Sequence, residues 1–372
     1  MKFRRRAKAA PAVRTRPAFD IHGDPRMNFR PTFLVAAAAA LFAAAGAAQA
    51  QQVVLKVHHF LPATSNVNTN LVQAWCDKVN KESADRLKCQ IYPAMTLGGS
   101  PPQLIEQARD GVADIVWTLP TYSAGRFTKS EVFELPFVTR SAKGSSEAFW
   151  HYVQKHSLDE FKGVKPLWLH TNDGSSFHFG PGKNVAKVED MKGLKIRSAT
   201  RLNAKMLAAL GAAPVQMPLP GVSDAISKGV IDGAMVPWEG LPAIRLQEFA
   251  KSHLDAPDGQ MKFANSLFAF LMNQGKYDSL PADLKKVIDA NSGPAVSAWA
   301  GGTGFDKVVP AHHKLAADRG NAVKKLDVAE YQRWVKAASQ VDDDWVKEVT
   351  AKGANGKALL DDARALIQQY DK

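Results

Sequence analysis

The chain has 372 residues, of which 45% are hydrophobic and 23% charged, and its formal net charge is +12. Residues 1–50 carry 9 of the 48 Lys and Arg and 2 of the 36 Asp and Glu, so the remainder carries 39 − 34 = +5. This modest excess suits anionic ligands weakly and, without a basic stripe interleaved with aromatic residues, argues against nucleic-acid binding.

Residues 27–50 are predicted to be a secretory signal peptide. Arg30 gives a basic start, Phe33 to Ala45 form a short apolar stretch, and Ala48-Gln49-Ala50 has the A-x-A pattern of a cleavage site. We therefore expect cleavage after Ala50 and a mature protein in the periplasm. Residues 1–26 are interpreted as an upstream extension, because a compact signal already begins at residue 27.

The mature chain is expected to be soluble and to have two lobes. No segment after the signal approaches the ~20 consecutive apolar residues of a membrane span. The remaining 372 − 50 = 322 residues exceed what one hydrophobic core usually organises. We assign residues 51–174 to lobe I, with 263–300 returning to it, and residues 175–262 to lobe II, with 303–372 packing on it.

Lobe I begins with alternating strands and helices. The pattern of apolar residues predicts strands at Val53 to His58, Lys88 to Tyr92, Ala113 to Trp117 and Val164 to His170, and helices at Asn68 to Lys81, Pro102 to Arg109 and Ser145 to His156. This alternation is typical of an α/β sheet.

Cys76 and Cys89 are thirteen residues apart in an exported chain. The first lies on a predicted helix and the second enters a predicted strand, so a disulfide between helix and strand is expected. Two Cys without a nearby His at ligand spacing do not suggest a metal site. We expect no bound metal and no cofactor.

Residues 191–238 repeat the α/β pattern. The sequence predicts strands at Leu194 to Arg197, Ala213 to Gln216 and Val230 to Met235, with helices at Arg201 to Leu210 and Gly221 to Lys228. Ligands of such sheets bind at the carboxyl ends of the strands. Arg197 ends its predicted strand and is therefore the candidate substrate anchor.

The C-terminal part is predicted to be mostly helical. Residues 262–273 are strand-like, and a long helical run follows from Ala282 to about Leu326. Gly301-Gly302-Thr303-Gly304 and Pro310 should kink this helix, which we expect to span both lobes. Two further helices, at about 328–351 and 358–370, end the chain.

Five segments together resemble the solute-binding subunit of tripartite ATP-independent periplasmic (TRAP) transporters of the DctP type. They are KVHHFLPATSNVN, IYPAMTLGGSPPQLIEQARDGVADI, MKGLKIRSA, SDAISKGVIDGAMVP and KYDSLPADLKKVI, in this order. The resemblance implies a two-lobed binding protein that closes around an organic anion and delivers it to membrane permease subunits.

The resemblance also places the family's ligand-binding arginine on Arg197, where it would meet a ligand carboxylate. A planar guanidinium bonds a carboxylate through two parallel N–H groups and stays charged, so the residue type suits this role independently. The alternative is a surface or interlobe salt bridge.

The ligand is expected to have an apolar or aromatic body. Sialic-acid-binding members of the family carry a second arginine where this chain has Phe177, and an asparagine where it has Val236. With Trp238 and Trp117, these residues suggest a pocket that encloses an apolar group behind the carboxylate. A C4-dicarboxylate or a 2-oxo or 2-hydroxy acid is the alternative, with His59 or a neighbouring donor binding the extra oxygens.

Several candidate ligand contacts have a structural alternative. Trp117 could belong to the core, and Trp238 could pack at the hinge. Tyr122 either bonds a ligand or faces water, and His59 either contacts the ligand or is a capped surface side chain.

A periplasmic hydrolase is the alternative of another class, because His170 and His178 flank Asn172-Asp173-Gly174-Ser175-Ser176. No G-x-S-x-G elbow is present, and turn-forming residues explain the cluster as a loop, so we expect no enzyme.

Overall fold

The computed structural model describes residues 52–372, and the predicted signal peptide and upstream extension lie outside these residues. No helix within residues 52–372 is both long and apolar enough to cross a membrane. The strands are β1 (Val53–His59), β2 (Leu87–Tyr92), β3 (Ile115–Thr118), β4 (Val164–Thr171), β5 (Ser175–Phe179), β6 (Lys195–Ser198), β7 (Ala213–Gln216), β8 (Gly233–Pro237), β9 (Ser252–Asp255), β10 (Leu267–Asn273) and β11 (Ala322–Lys325).

Helices cover both sheets. The α-helices are Ala74–Glu82, Leu104–Arg109, Ala142–Tyr152, Arg201–Ala209, Val222–Ser227, Gly240–Ala243, Leu246–Phe249, Gln274–Ser279, Ala282–Ala290, Pro294–Gly304, Val309–Ala317, Val328–Ala338, Gln340–Ala351 and Gly356–Tyr370. A π-helical segment, Val67–Gln73, leads directly into the first of them.

The first sheet has the strand order β2-β1-β3-β10-β4. Strands β2, β1 and β3 are parallel, whereas β10 runs antiparallel to both β3 and β4. All four residues of β3 are buried, as are the first six of β10, because helices cover both faces of the sheet. We call the part of the molecule built on this sheet the first lobe.

The second sheet has the strand order β11-β9-β5-β8-β6-β7 and forms the second lobe. Strand β6 lies parallel to β7 and β8, while β5 runs antiparallel to β8 and β9. Together the sheets form the expected two-lobed α/β fold. The interpretation of residues 172–176 as a loop is wrong in part, because Ser175 and Ser176 begin β5.

The chain crosses between the lobes after β4 and again after β9, and the two crossings bond to each other. The amide of Ser175 donates to the carbonyl of Ala264 at 2.8 Å, and the amide of Asn172 donates to Oδ1 of Asn265 at 3.0 Å. Gly174 has φ +89, and a Cβ there would meet the side chain of Lys262 at 2.3 Å. Glycine is therefore required where the two crossings pack closely.

The expected disulfide joins Cys76 to Cys89. It links the helix Ala74–Glu82 to β2 at the outer edge of the first sheet. This edge strand is paired on one side only, so the covalent link ties down the part of the sheet with fewest ladder hydrogen bonds.

The prediction of one long kinked helix over residues 282–326 is wrong. Three helices and β11 occupy this range. Gly293 has φ +103, outside the helical region, and Pro294 then starts the next helix, where its missing N–H needs no partner. Helix Pro294–Gly304 packs on β4, and helix Val309–Ala317 packs on β11, so the segment passes from the first lobe to the second.

The last three helices divide between the two lobes. Val328–Ala338 packs on Arg201–Ala209 of the second lobe, whereas Gly356–Tyr370 packs on Ala142–Tyr152 of the first. Gln340–Ala351 contacts both Arg201–Ala209 and Gly356–Tyr370. The C-terminal helices thus contact both lobes.

Candidate functional site

A small cavity lies between the two lobes, where the ends of β3, β6 and β8 face each other. The first lobe contributes Phe60, Leu61, Trp117, Leu119, Tyr122 and Phe268. The second lobe contributes Arg197, Ala199, Leu219, Pro237 and Glu239, and the crossings contribute Ser175 and Ser266. About 20 Å³ is open to the centres of water molecules.

Arg197 lies at the carboxyl end of β6 with 2% of its surface exposed. Its Nε donates to the carbonyl of Met217 and one Nη donates to the carbonyl of Met235, each at 2.9 Å. A guanidinium has five N–H donors, so these two bonds fix its plane and leave others for a ligand. The strand end and two neighbouring backbone segments thus hold the side chain in one position.

The charge of Arg197 is not neutralised by a carboxylate among residues 52–372. Burial lowers the pKa of the guanidinium, and the opposing influence comes from the hydroxyl of Tyr122. Burial in turn raises the pKa of Tyr122, against the nearby charge of Arg197. Removing an isolated cation from water is expensive unless it is paired. Binding of an anion in the cavity is therefore strongly favoured, because it would neutralise the buried charge of Arg197.

A larger groove of about 670 Å³ lies elsewhere, beside the C-terminal helix. It contains Arg140 and Arg364, and the second of these is paired with Asp342 at 2.6 Å. The groove thus compensates this charge within the chain, unlike the cavity around Arg197.

Aromatic rings form the wall contributed by the first lobe. Trp117 stacks on Phe268 with ring centroids 4.9 Å apart, and Phe60 contacts Trp117 at 5.1 Å. The indole N–H of Trp117 donates to His170 at 2.9 Å. Since this polar group is already paired, Trp117 presents an apolar ring to the cavity.

Glu239 is the second ionisable group on the cavity wall and is 2% exposed. Burial raises the pKa of its carboxyl to about 8, and the nearby amide of Val67 opposes this effect only in part. At neutral pH the group is therefore largely a neutral acid. Its Oε1 is buried without a hydrogen-bond partner among the described residues.

His59 lies next to the cavity wall but not on it. The side chain is fully buried, with Nε2 2.9 Å from Oδ1 of Asn68 and Nδ1 accepting from the amide of Leu61 at 3.3 Å. Burial lowers the pKa of His59 to about 4, so the ring is neutral. The next two residues, Phe60 and Leu61, reach the cavity instead.

Phe177 lies in the core of the second lobe, away from the cavity. Its ring contacts Phe179, Phe263 and Trp334, with centroid distances of 6.0, 5.1 and 5.4 Å. The structure thus surrounds Phe177 with other aromatic side chains of one hydrophobic cluster.

Val236 and Trp238 are also buried outside the cavity lining. Val236 contributes its carbonyl, which lies 3.0 Å from Nε2 of His178. The indole N–H of Trp238 donates to Asp255 at 2.8 Å, and its ring lies 4.1 Å from that of His313. Pro237 and Glu239 alternate with these residues and line the cavity.

The loop considered for hydrolysis does not assemble a nucleophile and base in this structure. His170 binds Trp117, and His178 lies 2.6 Å from His253. Ser176 donates to Asp255. Burial lowers the pKa of His170 to about 3, far from the range of a general base at neutral pH.

Phe60, Phe268 and Glu239 line the cavity but were not predicted from the sequence. The available signal for Glu239 was a single acid within the apolar run MVPWEGLPA at the end of a predicted strand. Phe268 had no local signal, because β10 follows β3 only after a long excursion of the chain through the second lobe.

Residues 57–348 match the profile of a protein family described as bacterial extracellular solute-binding protein, family 7 (DctP). Among solved structures, the chain is similar to a TRAP solute-binding protein from Rhodoferax ferrireducens T118 in complex with copurified benzoate. The two chains share 43% identity over 86% of this chain and 98% of the other, with a TM-score of 0.84.

Two further structures have related ligands. One is a marine metagenome TRAP solute-binding protein specific for aromatic acid ligands, with 3-hydroxybenzoate (41% identity, 87% of this chain, 100% of the other, TM-score 0.84). The other is a Bordetella bronchiseptica TRAP solute-binding protein with (R)- and (S)-mandelate (26% identity, 86% of this chain, 100% of the other, TM-score 0.78).

Proposed function

The chain belongs to family 7 of the bacterial extracellular solute-binding proteins, the binding subunits of TRAP transporters, and we propose that it captures an aromatic monocarboxylic acid. The acid is held between the two lobes and delivered to membrane permease subunits. The proposal places the carboxylate on Arg197 and the ring against Trp117.

The observation that carries this proposal is the buried, uncompensated charge of Arg197. Among residues 52–372, the only group that opposes the effect of burial on the pKa of Arg197 is the hydroxyl of Tyr122. Hydrogen bonds to two backbone carbonyls hold the guanidinium in one orientation. A ligand carboxylate would neutralise the charge and accept two parallel hydrogen bonds from the remaining N–H groups. One anchoring cation suits one carboxylate, which favours a monocarboxylate over a C4-dicarboxylate.

The apolar wall supports an aromatic body. Trp117, Phe60 and Phe268 line the cavity together with Arg197 and contact one another. A flat ring gains contact with these faces without leaving polar groups unpaired. The benzoate and 3-hydroxybenzoate bound by the two relatives that share more than 40% identity agree with this ligand class.

Closure of the lobes would complete the site. Arg197 belongs to the second lobe, and Trp117 and Tyr122 belong to the first, so the ligand contacts both only when the lobes are together. A ligand that bridges both lobes favours the closed arrangement by its differential affinity. Water leaves the site on closure, and the ion pair becomes stronger.

TRAP solute-binding proteins are periplasmic, and the proposed route is export through the signal at residues 27–50 with cleavage after Ala50. This segment carries the basic start, the apolar stretch and the A-x-A site that such export requires. We also propose that the protein has no hydrolytic activity, since His170 and His178 are engaged by other partners.

Isothermal titration calorimetry with benzoate tests the proposal. Arg197→Ala should weaken binding by about 2–5 kcal/mol, because the ligand carboxylate would stay buried without its partner. Arg126→Ala removes an exposed arginine paired with Glu106 and is the matched control, with unchanged affinity expected. Near-native affinity of Arg197→Ala refutes the anchor.

Two other outcomes identify the alternatives. Tight binding of succinate without binding of benzoate would indicate a dicarboxylate receptor. Turnover of an aromatic ester that is abolished by the Ser175→Ala and Ser176→Ala double variant would indicate a hydrolase.

A further inference from the structure

We infer that Glu239 is a specificity-determining residue that binds a hydroxyl group on the aromatic ring of the ligand, so that the preferred ligand is a hydroxylated aromatic acid. This inference rests on the proposed function, because it concerns the opposite end of the same ligand.

The cavity wall contains a buried polar atom that has no hydrogen-bond partner among the described residues. Oε1 of Glu239 is buried and has no hydrogen-bond partner among residues 52–372, and the residue lines the cavity with Arg197. A buried polar atom without a partner destabilises the structure, and such atoms in native proteins usually have a functional explanation. A ligand group at this point would supply the missing hydrogen bond.

Glu239 and Arg197 do not neutralise each other, although both line the same cavity. The pKa of Glu239 is set by burial and by the amide of Val67, and that of Arg197 by burial and by Tyr122. Because both residues line the cavity, one bound molecule can contact both, with its carboxylate at Arg197 and a ring substituent at Glu239.

The protonation state of Glu239 determines which substituent fits. With a pKa raised to about 8 by burial, the carboxyl at neutral pH is mainly in its acid form. The O–H of this acid can donate to a ligand oxygen. A second ligand carboxylate at this position would be a buried anion without a cation. A neutral hydroxyl satisfies the acid without adding charge.

A ring substituent bound to Glu239 would lie close to the first lobe as well as to the second. Glu239 directly follows the second-lobe residues Pro237 and Trp238, yet the amide of Val67 from the first lobe lies close enough to lower the pKa of its carboxyl. The side chain thus lies where the two lobes meet. A hydroxyl bonded there would add to the contacts that bridge the lobes.

Calorimetry with benzoate, 3-hydroxybenzoate and 4-hydroxybenzoate on the wild-type protein is the first measurement. At least one hydroxylated acid should bind about 10-fold more tightly than benzoate, the effect of one buried hydrogen bond. If both hydroxylated acids bind no better than benzoate, the inference is overturned. If none of the three binds, the proposed function fails instead, so the two failures are distinguishable.

The second measurement uses Glu239→Leu, with Glu239→Met as a replacement if the first variant does not fold. The quantity compared is the ratio of the affinities for the hydroxylated acid and for benzoate, and this preference should fall from about 10-fold to about 2-fold or less. A preference that survives in the variant assigns the hydroxyl to another residue and overturns the inference.

Glu134→Gln is the matched control. Burial also raises the pKa of Glu134 to about 8, but this carboxyl does not line the cavity and instead accepts from Thr121 and from the amide of Leu267. This variant should keep the full preference for the hydroxylated acid. Loss of the preference in this variant as well would show a general effect of buried acids and would contradict a specific role of Glu239.

Discussion

The hydroxyl of Tyr122, from the first lobe, accepts a hydrogen bond from the amide of Leu219, from the second, at 3.2 Å. The same hydroxyl lies close enough to the guanidinium of Arg197 for each group to shift the pKa of the other. The bond from Leu219 uses the oxygen as an acceptor, so the phenolic proton remains for a ligand. Tyr122 and Arg197 therefore form a composite donor site that exists only when the lobes are together.

Tyr122→Phe should weaken benzoate binding by about 1 kcal/mol, which is about 5-fold, because one donor to the carboxylate is lost and the ring remains. Calorimetry measures this effect. Tyr277→Phe is the control, since the hydroxyl of Tyr277 bonds Asp289 at an exposed site. Equal affinities of the two variants would show that Tyr122 does not donate to the ligand.

An ion pair away from the cavity also joins the lobes. Glu131 of the first lobe is fully buried, and Arg201 of the second donates to it from Nε at 2.7 Å. Glu131→Gln should shift the equilibrium towards the open arrangement and speed benzoate dissociation several-fold, since the pair joins the two lobes and its loss removes a contact between them. Stopped-flow fluorescence measures the rate.

Glu248→Gln is the control for that experiment, because Glu248 pairs with Arg245 within the second lobe. An unchanged dissociation rate in Glu131→Gln would mean that the Arg201 pair does not distinguish the open from the closed arrangement.

The stability of the protein should depend on pH through Glu134. Burial raises the pKa of this carboxyl from 4.5 to about 8, so the folded state favours the protonated form. The contribution of Glu134 is fully present below the unfolded pKa and is lost as pH rises towards the folded value, by about 1.4 kcal/mol per pH unit.

Glu134→Gln should therefore gain stability relative to the wild type between about pH 5 and pH 8. Urea unfolding of both proteins across this range gives the difference between their free energies of unfolding. Buried histidines such as His170 and His178 have the opposite pH dependence, but they are present in both proteins and cancel in this difference. A difference that does not change with pH would show that Glu134 titrates normally in the folded state.

The disulfide should stabilise the fold without affecting the ligand. Cys76 and Cys89 close a loop of 13 residues, so replacing both by Ser should lower the free energy of unfolding by about 3 kcal/mol. Benzoate affinity should stay the same, because neither residue lines the cavity. Unfolding in urea and calorimetry measure the two effects, and a large loss of affinity would contradict this separation.

Much of the fold could be predicted because the β-α-β pattern is local. The strand predicted over Ala213 to Gln216 agrees with the structure, and the strand ending near Arg197 differs by one residue at each end. Strands β5, β9 and β11 were not predicted. Each is short and obtains its partners from distant parts of the chain, so local sequence carries little information about them.

The candidate site shows why neighbouring residues could not be distinguished from sequence. Side chains alternate in direction along a strand, so Pro237 reaches the cavity while Val236 does not. Trp238 and Glu239 lie in the turn after β8, and only Glu239 reaches the cavity. All five residues of β8 are buried. A strand covered on both faces lacks the alternating polar pattern that would identify the face towards the ligand.

A crystal structure of the protein with benzoate would show directly whether Arg197 anchors the ligand. We expect the benzoate carboxylate within hydrogen-bond distance of Arg197, and the ring in contact with Trp117 between the lobes. A carboxylate bound elsewhere, with Arg197 bonded only to the carbonyls of Met217 and Met235, would contradict this expectation.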